Sequence, residues 1–168
     1  MLAAGWRGLL RRLAAAFYDG LLVGAIVIAG TALALTATGG RALTGTEAGA
    51  LAVVGHRLLL LFLIYLYFAR SWTRGGQTLG MKAWRLRALT VAGLPLSWPR
   101  AALRLAWAAP LWLAAVAGTL LGLSHRAPVW AVPLGWLPLA ISLAPLAWRQ
   151  PALHDRLSGT RVVRVAPR

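Results

Sequence analysis

The sequence predicts an all-α membrane protein of four transmembrane helices with both termini in the cytoplasm. Three observations carry that expectation. Hydrophobic residues make up 60% of the 168 positions and charged residues only 12%, where an ordinary soluble domain has about 25% charged. Mean hydropathy is +0.69, and the apolar residues collect into four long runs. The cations gather at the N-terminus, between runs two and three, and after run four.

The first run, Leu13 to Leu35, is long enough at about 1.5 Å per helical residue to cross a bilayer core of about 30 Å. Arg7, Arg11 and Arg12 precede it. It exceeds the apolar region of a signal peptide, about 7–15 residues, and Asp19 interrupts it, so a retained first span is expected. A Gly- and Thr-rich connection, Thr36 to Gly49, carries Arg41 and Glu47 and leads to the second run, Ala50 to Ala69. His56 and Arg57 lie in its first half, where a long arginine can snorkel to the far interface.

Residues 70–104 form a polar, basic loop with Arg70, Arg74, Lys82, Arg85, Arg87, Arg100 and Arg104. Met81 to Thr90 alternates loosely and is followed by a Leu96-Ser97-Trp98 return. That pattern allows a small β-hairpin or an interfacial helix. Ser97 followed by Pro99 reads as a helix N-cap and first turn. The third run is Leu105 to Leu123, with Pro110 a kink. Ser124 to Ala127, with His125 and Arg126, connects it to the fourth run, Pro128 to Ala147. Pro133, Pro138 and Pro145 imply a bent span whose freed carbonyls meet neighbours or water. Residues 148–168 are a basic tail, and residues 1–168 make one domain.

Net charge is +15. In a soluble protein that would suggest nucleic acid. Here the cations cluster at the ends of spans, where they set topology and meet anionic lipid headgroups. The lipid bilayer is the expected partner and nucleic acid is not. Cytoplasmic segments carry the cation excess, which puts the N-terminal arm, the middle loop and the tail inside. Trp6, Trp72, Trp98 and Trp148 then fall near the inner interface and Trp130 near the outer one. There are no cysteines, which excludes a disulfide frame and a thiolate metal site.

Asp19, Glu47 and Asp155 are the only acids. An acid at mid-bilayer costs about 2.5–3.5 kcal/mol on insertion scales. Asp19 lies roughly 10 Å in from the start of its run, so it needs partners. Arg12 shares its helix face two turns away, but the two Cα atoms are about 10 Å apart and direct pairing is a stretch. The side chain tilts back toward the helix N-terminus, which favours a cytoplasmic partner. Two segments qualify: the tail cluster His154-Asp155-Arg156 with Ser158, Gly159 and Thr160, and the glycine-rich stretch Gly75-Gly76-Gln77-Thr78-Leu79-Gly80. Both are expected to close over Asp19. The glycine-rich stretch lacks the Lys-Ser/Thr ending of a phosphate loop, so nucleotide binding is rejected. Asp19, His154 and Asp155 have no convergent ligand spacing, and neither metal nor cofactor is expected. No Ser-His-Asp order, close acid pair or cofactor fingerprint points to an enzyme.

Arg12-Leu-Ala-Ala-Ala-Phe-Tyr-Asp19, Gly76-Gln-Thr-Leu-Gly-Met81 and Leu153-His-Asp-Arg-Leu-Ser-Gly-Thr-Arg-Val-Val163, in that order, resemble the RDD family of bacterial membrane proteins. The resemblance covers almost the full chain. It implies that Arg12, Asp19 and Asp155 are the arginine and two aspartates that name the family, and that Gly76, Gln77, Thr78, Gly80, His154 and Asp155 belong to its core. Members often carry an acidic turn where this chain has Thr90-Val-Ala-Gly-Leu-Pro95, and they are loosely associated with transport. The function expected is a small cation- or proton-coupled transporter, a homo-oligomer, with Asp19 as the ion or proton site and His154 as a proton acceptor. The alternative is a non-enzymatic scaffold or lipid-binding assembly module in which Arg12, Asp19, His154, Asp155 and Arg156 are structural.

Overall fold

A computed structural model of the chain describes residues 5–39, 49–124, 128–148 and 150–166. Arg41, Glu47, His125 and Arg126 lie outside them, as does the start of the N-terminal arm. The elements are α1 (Trp6–Ala37), α2 (Ala50–Arg74), α3 (Leu79–Ala83), β1 (Leu86–Thr90), α4 (Trp98–Leu123), α5 (Ala131–Leu143), α6 (Leu153–Leu157) and β2 (Thr160–Arg164). Helices α1, α2 and α4 are each long and apolar enough to cross a membrane, and a fourth apolar helix is shorter.

The helices outrun their apolar runs. Helix α1 begins at Trp6, ahead of Leu13, and α2 continues past Ala69 to Arg74. Helix α4 starts at Trp98, with Ser97 at the N-cap and proline in the first turn, although the Ser97 side chain makes no capping bond. Helix α5 gives way at Ala144 to a 3₁₀ turn, Ala144–Trp148. Pro145 has no N–H to extend the α-helical ladder, which accounts for the change of winding.

Contacts at both ends show that the four rods alternate in direction. At one end the Gly5 N–H donates to the Leu146 carbonyl (2.7 Å) and Tyr65 donates to the Trp98 carbonyl (3.3 Å). At the other, Thr31 meets His56 at 3.4 Å. Among the long helices, α4 and α5 pack backbone to backbone. Gly118 and Gly122, spaced four apart on α4, face α5, where Gly135 answers Gly118: a Cβ on Gly118 would lie 2.6 Å from the Ala131 carbonyl, and one on Gly135 2.6 Å from the Ala114 carbonyl. Small residues let backbones approach where lipid offers no hydrophobic drive. Trp136 then reaches Thr119 across the interface at 2.9 Å.

The loop and tail fold together into a small cap, and here the structure corrects the sequence reading. No local hairpin forms in residues 81–98. Instead β1 pairs antiparallel with β2 of the tail, Leu86 opposite Arg164 and Thr90 opposite Thr160. The return after β1 is irregular. Gly93 turns with positive φ, and Thr90 holds Leu94 through both its backbone and its hydroxyl. Pro95 then has no N–H to offer a second strand. The fold is therefore mostly helical, as expected of an all-α membrane protein, and its one small β element joins the loop to the tail instead of closing within the loop.

The ribbon alternates as a one-sided sheet must. Leu86, Ala88 and Val162 are buried, with Ala15 of α1, Ala69 and Trp72 of α2, and Leu96 and Ala101. That is the true core, and it lies where the helix ends meet the cap. Trp72, expected at the interface with lipid, is inside this core at 4% exposure, whereas Trp6, Trp98 and Trp148 are exposed.

Gly135→Val should force α4 and α5 apart and lower stability by about 1–3 kcal/mol, the usual cost of overpacking. The check is the thermal unfolding midpoint of the purified variant in micelles.

Candidate functional site at the junction of helices and cap

Asp19 is 6% exposed on α1. Its carboxylate accepts three hydrogen bonds. The Tyr67 hydroxyl of α2 donates to Oδ1 at 2.8 Å, the Gly80 N–H donates to Oδ1 at 2.9 Å, and the Thr78 hydroxyl donates to Oδ2 at 2.5 Å. The glycine-rich stretch does cradle an anion, and the anion is the protein's own side chain.

Each residue of that stretch has a mechanical reason. Gly76, at positive φ, turns the chain off α2, and its carbonyl receives the Ala88 N–H of β1 at 2.6 Å. The Gln77 amide donates to the Leu86 carbonyl at 2.6 Å. Thr78 caps α3 by accepting the Met81 N–H at 3.1 Å while it holds Asp19. Gly80 sits so close to α1 that a Cβ would run into the Ala15 carbonyl. Gln77 and Gly76 thus tie the stretch to the ribbon, and Thr78 and Gly80 tie it to α1.

The second junction centres on Asp155, which is 0% exposed in α6. Arg12 of α1 contacts Oδ2 and Arg104 of α4 contacts Oδ1, each at 2.5 Å. Arg104 also donates to the Thr160 hydroxyl, and its guanidinium lies 5.1 Å from the centre of the Trp72 ring. Ser158 donates to the His154 carbonyl at 2.8 Å and shares a hydrogen bond with Thr160. Burial alone would raise the Asp155 pKa, but Arg104 and Arg12 outweigh it and hold the carboxyl well below its usual range.

His154 is buried beside it, Nε2 3.5 Å from Asp155 and Nδ1 2.9 Å from the Ser142 hydroxyl. Burial pushes its pKa down to about 4, Asp155 only partly opposes that, and Arg104 and Arg12 add to it. The imidazole is therefore neutral at pH 7, unlike the near-neutral proton acceptor expected from the sequence.

The expected residues are thus split between two junctions on one helix. Asp19 takes Thr78 and Gly80, with Gln77 and Gly76 behind them. Arg12 takes Asp155, with His154 behind it. The tail does not close over Asp19, because α6 is held at the level of Arg12, two turns nearer the start of α1. Arg156 is exposed and stands outside both junctions. Among the described residues no group of three His, Cys, Asp or Glu side chains is arranged to hold a metal. Sequence reading missed Tyr67, Arg104 and Ser142 as partners, and it placed Ser158 and Thr160 over Asp19, whereas they sit with Arg104 and His154. The one available signal was Arg104, a cation pressed against the third apolar run.

Asp155→Asn leaves two buried guanidinium groups facing a neutral amide. Breaking one side of a buried ion pair costs about 3–5 kcal/mol, so the variant should unfold at markedly lower denaturant or temperature. His154 gives a separate signature. Its folded value, about 4, lies below the ordinary 6.5, so between those values the unfolded chain binds a proton that the folded chain excludes. Stability should fall as pH drops through that window, by up to roughly 3 kcal/mol. Asp155 adds its own loss only at lower pH. Unfolding midpoints measured from pH 7 to 4 should show the decline, and His154→Gln should flatten it.

The RDD family model matches residues 6–159, a stretch that contains the carboxylates and arginines of both junctions and all but the closing strand of the cap. No curated protein and no solved structure matches the chain. A match over nearly the whole length, with Arg12, Asp19 and Asp155 each placed at a junction of helix and cap, shows that this chain belongs to the RDD family.

Proposed function

We propose that the chain is a non-enzymatic module of a bacterial inner membrane. It crosses the bilayer four times with both ends inside and holds a small folded cap against the inner leaflet, where anionic lipid is its partner. The observation that carries this reading is that both carboxylates are buried and engaged by the protein's own groups. Asp19 accepts three short hydrogen bonds and Asp155 meets two arginines. Each carboxylate joins a membrane helix to the cap, and neither has an open side for substrate.

The charge distribution supports the orientation. Arg7, Arg11, Arg12, Arg70, Arg74, Lys82, Arg85, Arg87, Arg100, Arg104, Arg156, Arg161 and Arg164 all belong to the capped end, while Arg57 is the one described cation in the far half of a helix. That bias is the mark of a cytoplasmic face.

A second reading is cation- or proton-coupled transport through Asp19, within a homo-oligomer that widens the path. It is favoured by one observation. Asp19 lies inside an apolar helix, where an acid is a functional candidate by default, and two of its three donors are hydroxyls that exchange protons.

Asp19→Asn separates the two. If the carboxylate is an anchor, the variant loses charge-assisted hydrogen bonds and at least about 2 kcal/mol of stability, and neither protein dissipates a pH gradient in proteoliposomes. If wild type carries proton flux, and the variant abolishes it while melting at the wild-type temperature, the anchoring reading is wrong.

A further inference from the structure

A cleft of about 180 Å³ opens on the capped end, lined by Arg11, Ala83, Trp84, Arg85 and Arg164. Its three arginines come from three separate elements. Arg11 is on α1, Arg164 ends β2, and Arg85 lies between α3 and β1.

Nothing described in the fold neutralises them. Every ion pair among the described residues ends on Asp155. Asp19 is taken by Tyr67, Thr78 and Gly80. Three like charges brought to one cleft repel each other, and an anion between them reverses that.

Arg85 strengthens the case. It has φ +55, the one positive value at a non-glycine residue among those described. It stands just past the end of α3, a position where glycine is the usual occupant because it has no Cβ to clash. The chain keeps an arginine there in spite of the strain. Backbone strain of this kind is found at binding sites, where the side chain earns its place by contact with a ligand.

The depth of the cleft says what kind of anion. Trp6, Leu10, Phe17, Leu21 and Ile28 are all exposed on α1. Their spacing of four and seven keeps them on one face, which makes a continuous lipid-facing stripe. Arg11 lies within its first turns, so the cleft opens at the height where headgroups begin. Trp84, 36% exposed on the cleft wall, is an amphipathic ring suited to that level.

We propose that Arg11, Arg85 and Arg164 form a binding site for the headgroup phosphate of an anionic membrane lipid. Guanidinium groups bind phosphate oxygens through paired N–H donors, and three of them from three elements fix one headgroup against the cap. The proposal rests on the reading above that the inner leaflet's anionic lipid is a partner, and it names where that contact is made.

The test uses the full chain in nanodiscs and micelles. Binding of phosphatidylglycerol is compared with that of phosphatidylcholine for wild type, for Arg85→Gly combined with Arg164→Gln, and for Arg156→Gln, which removes an exposed arginine outside the cleft. Arg85→Gly removes charge while relaxing the backbone, and the melting temperature of the double variant checks that it folds. The expected result is a wild-type preference for phosphatidylglycerol, weakened about thirtyfold in the double variant and unchanged in Arg156→Gln. Unaltered binding in the double variant would overturn the site and leave the broader lipid reading standing. Displacement of the lipid by equimolar inorganic phosphate would overturn a lipid headgroup in favour of a small-anion site. A wild type without preference for phosphatidylglycerol would overturn both the site and the reading beneath it.

Discussion

Removing a carboxylate from water is tolerable only if its charge meets partners that water would otherwise have supplied. Two such groups lie among the described residues, and the architecture around them follows from satisfying them. Asp19 demands donors at a fixed height on α1. They come from a tyrosine on α2 and from the first turn of α3, so α3 must lie against α1. Gly80 is glycine because the approach leaves no room for a Cβ beside Ala15. Asp155 demands cations, and takes one from α1 and one from α4. The first and third rods are therefore bridged by an acid that belongs to neither.

Packing changes character along the helices for the same reason. At the capped end Trp72, Leu86, Ala88 and Val162 make a water-excluding core of the kind found in soluble domains. Beyond it the rods expose large apolar residues such as Leu21, Ile28, Leu61 and Leu113. A soluble protein would present such a surface only as an interaction site, whereas a bilayer accepts it without cost. In that region cohesion comes from close backbone approach, as at Gly118 and Gly135, rather than from burial.

How much of this can be read from the sequence depends on range. The apolar runs and the cation bias are local or compositional, and they mark the helices well. The closure of Gly76 to Gly80 over Asp19 is legible too, because an acid in an apolar run demands donors and few segments offer them. The pairing of Arg12 with Asp155 is not. The two lie 143 positions apart, and nothing in a seven-residue spacing on α1 reveals that Arg12 and Asp19 serve different partners. The ribbon fails to announce itself for a related reason. Residues 86–90 alternate as a strand, but their partner lies beyond three further helices, so the nearest return, with Pro95, reads as a hairpin. Arg104 and Trp72 look like interfacial residues by position, and only their stacking shows that they are interior.

The ribbon also dictates an order of events during synthesis. Strand β1 leaves the ribosome with its pairing edge bare, and the residue that meets Thr90 is Thr160. At about 5–20 residues per second, roughly 4–14 s separate the two. During that interval α4, α5 and α6 must be made while β1 waits. An unpaired edge is a template for wrong association, so the nascent chain passes through a vulnerable stage that ends only when its last strand arrives.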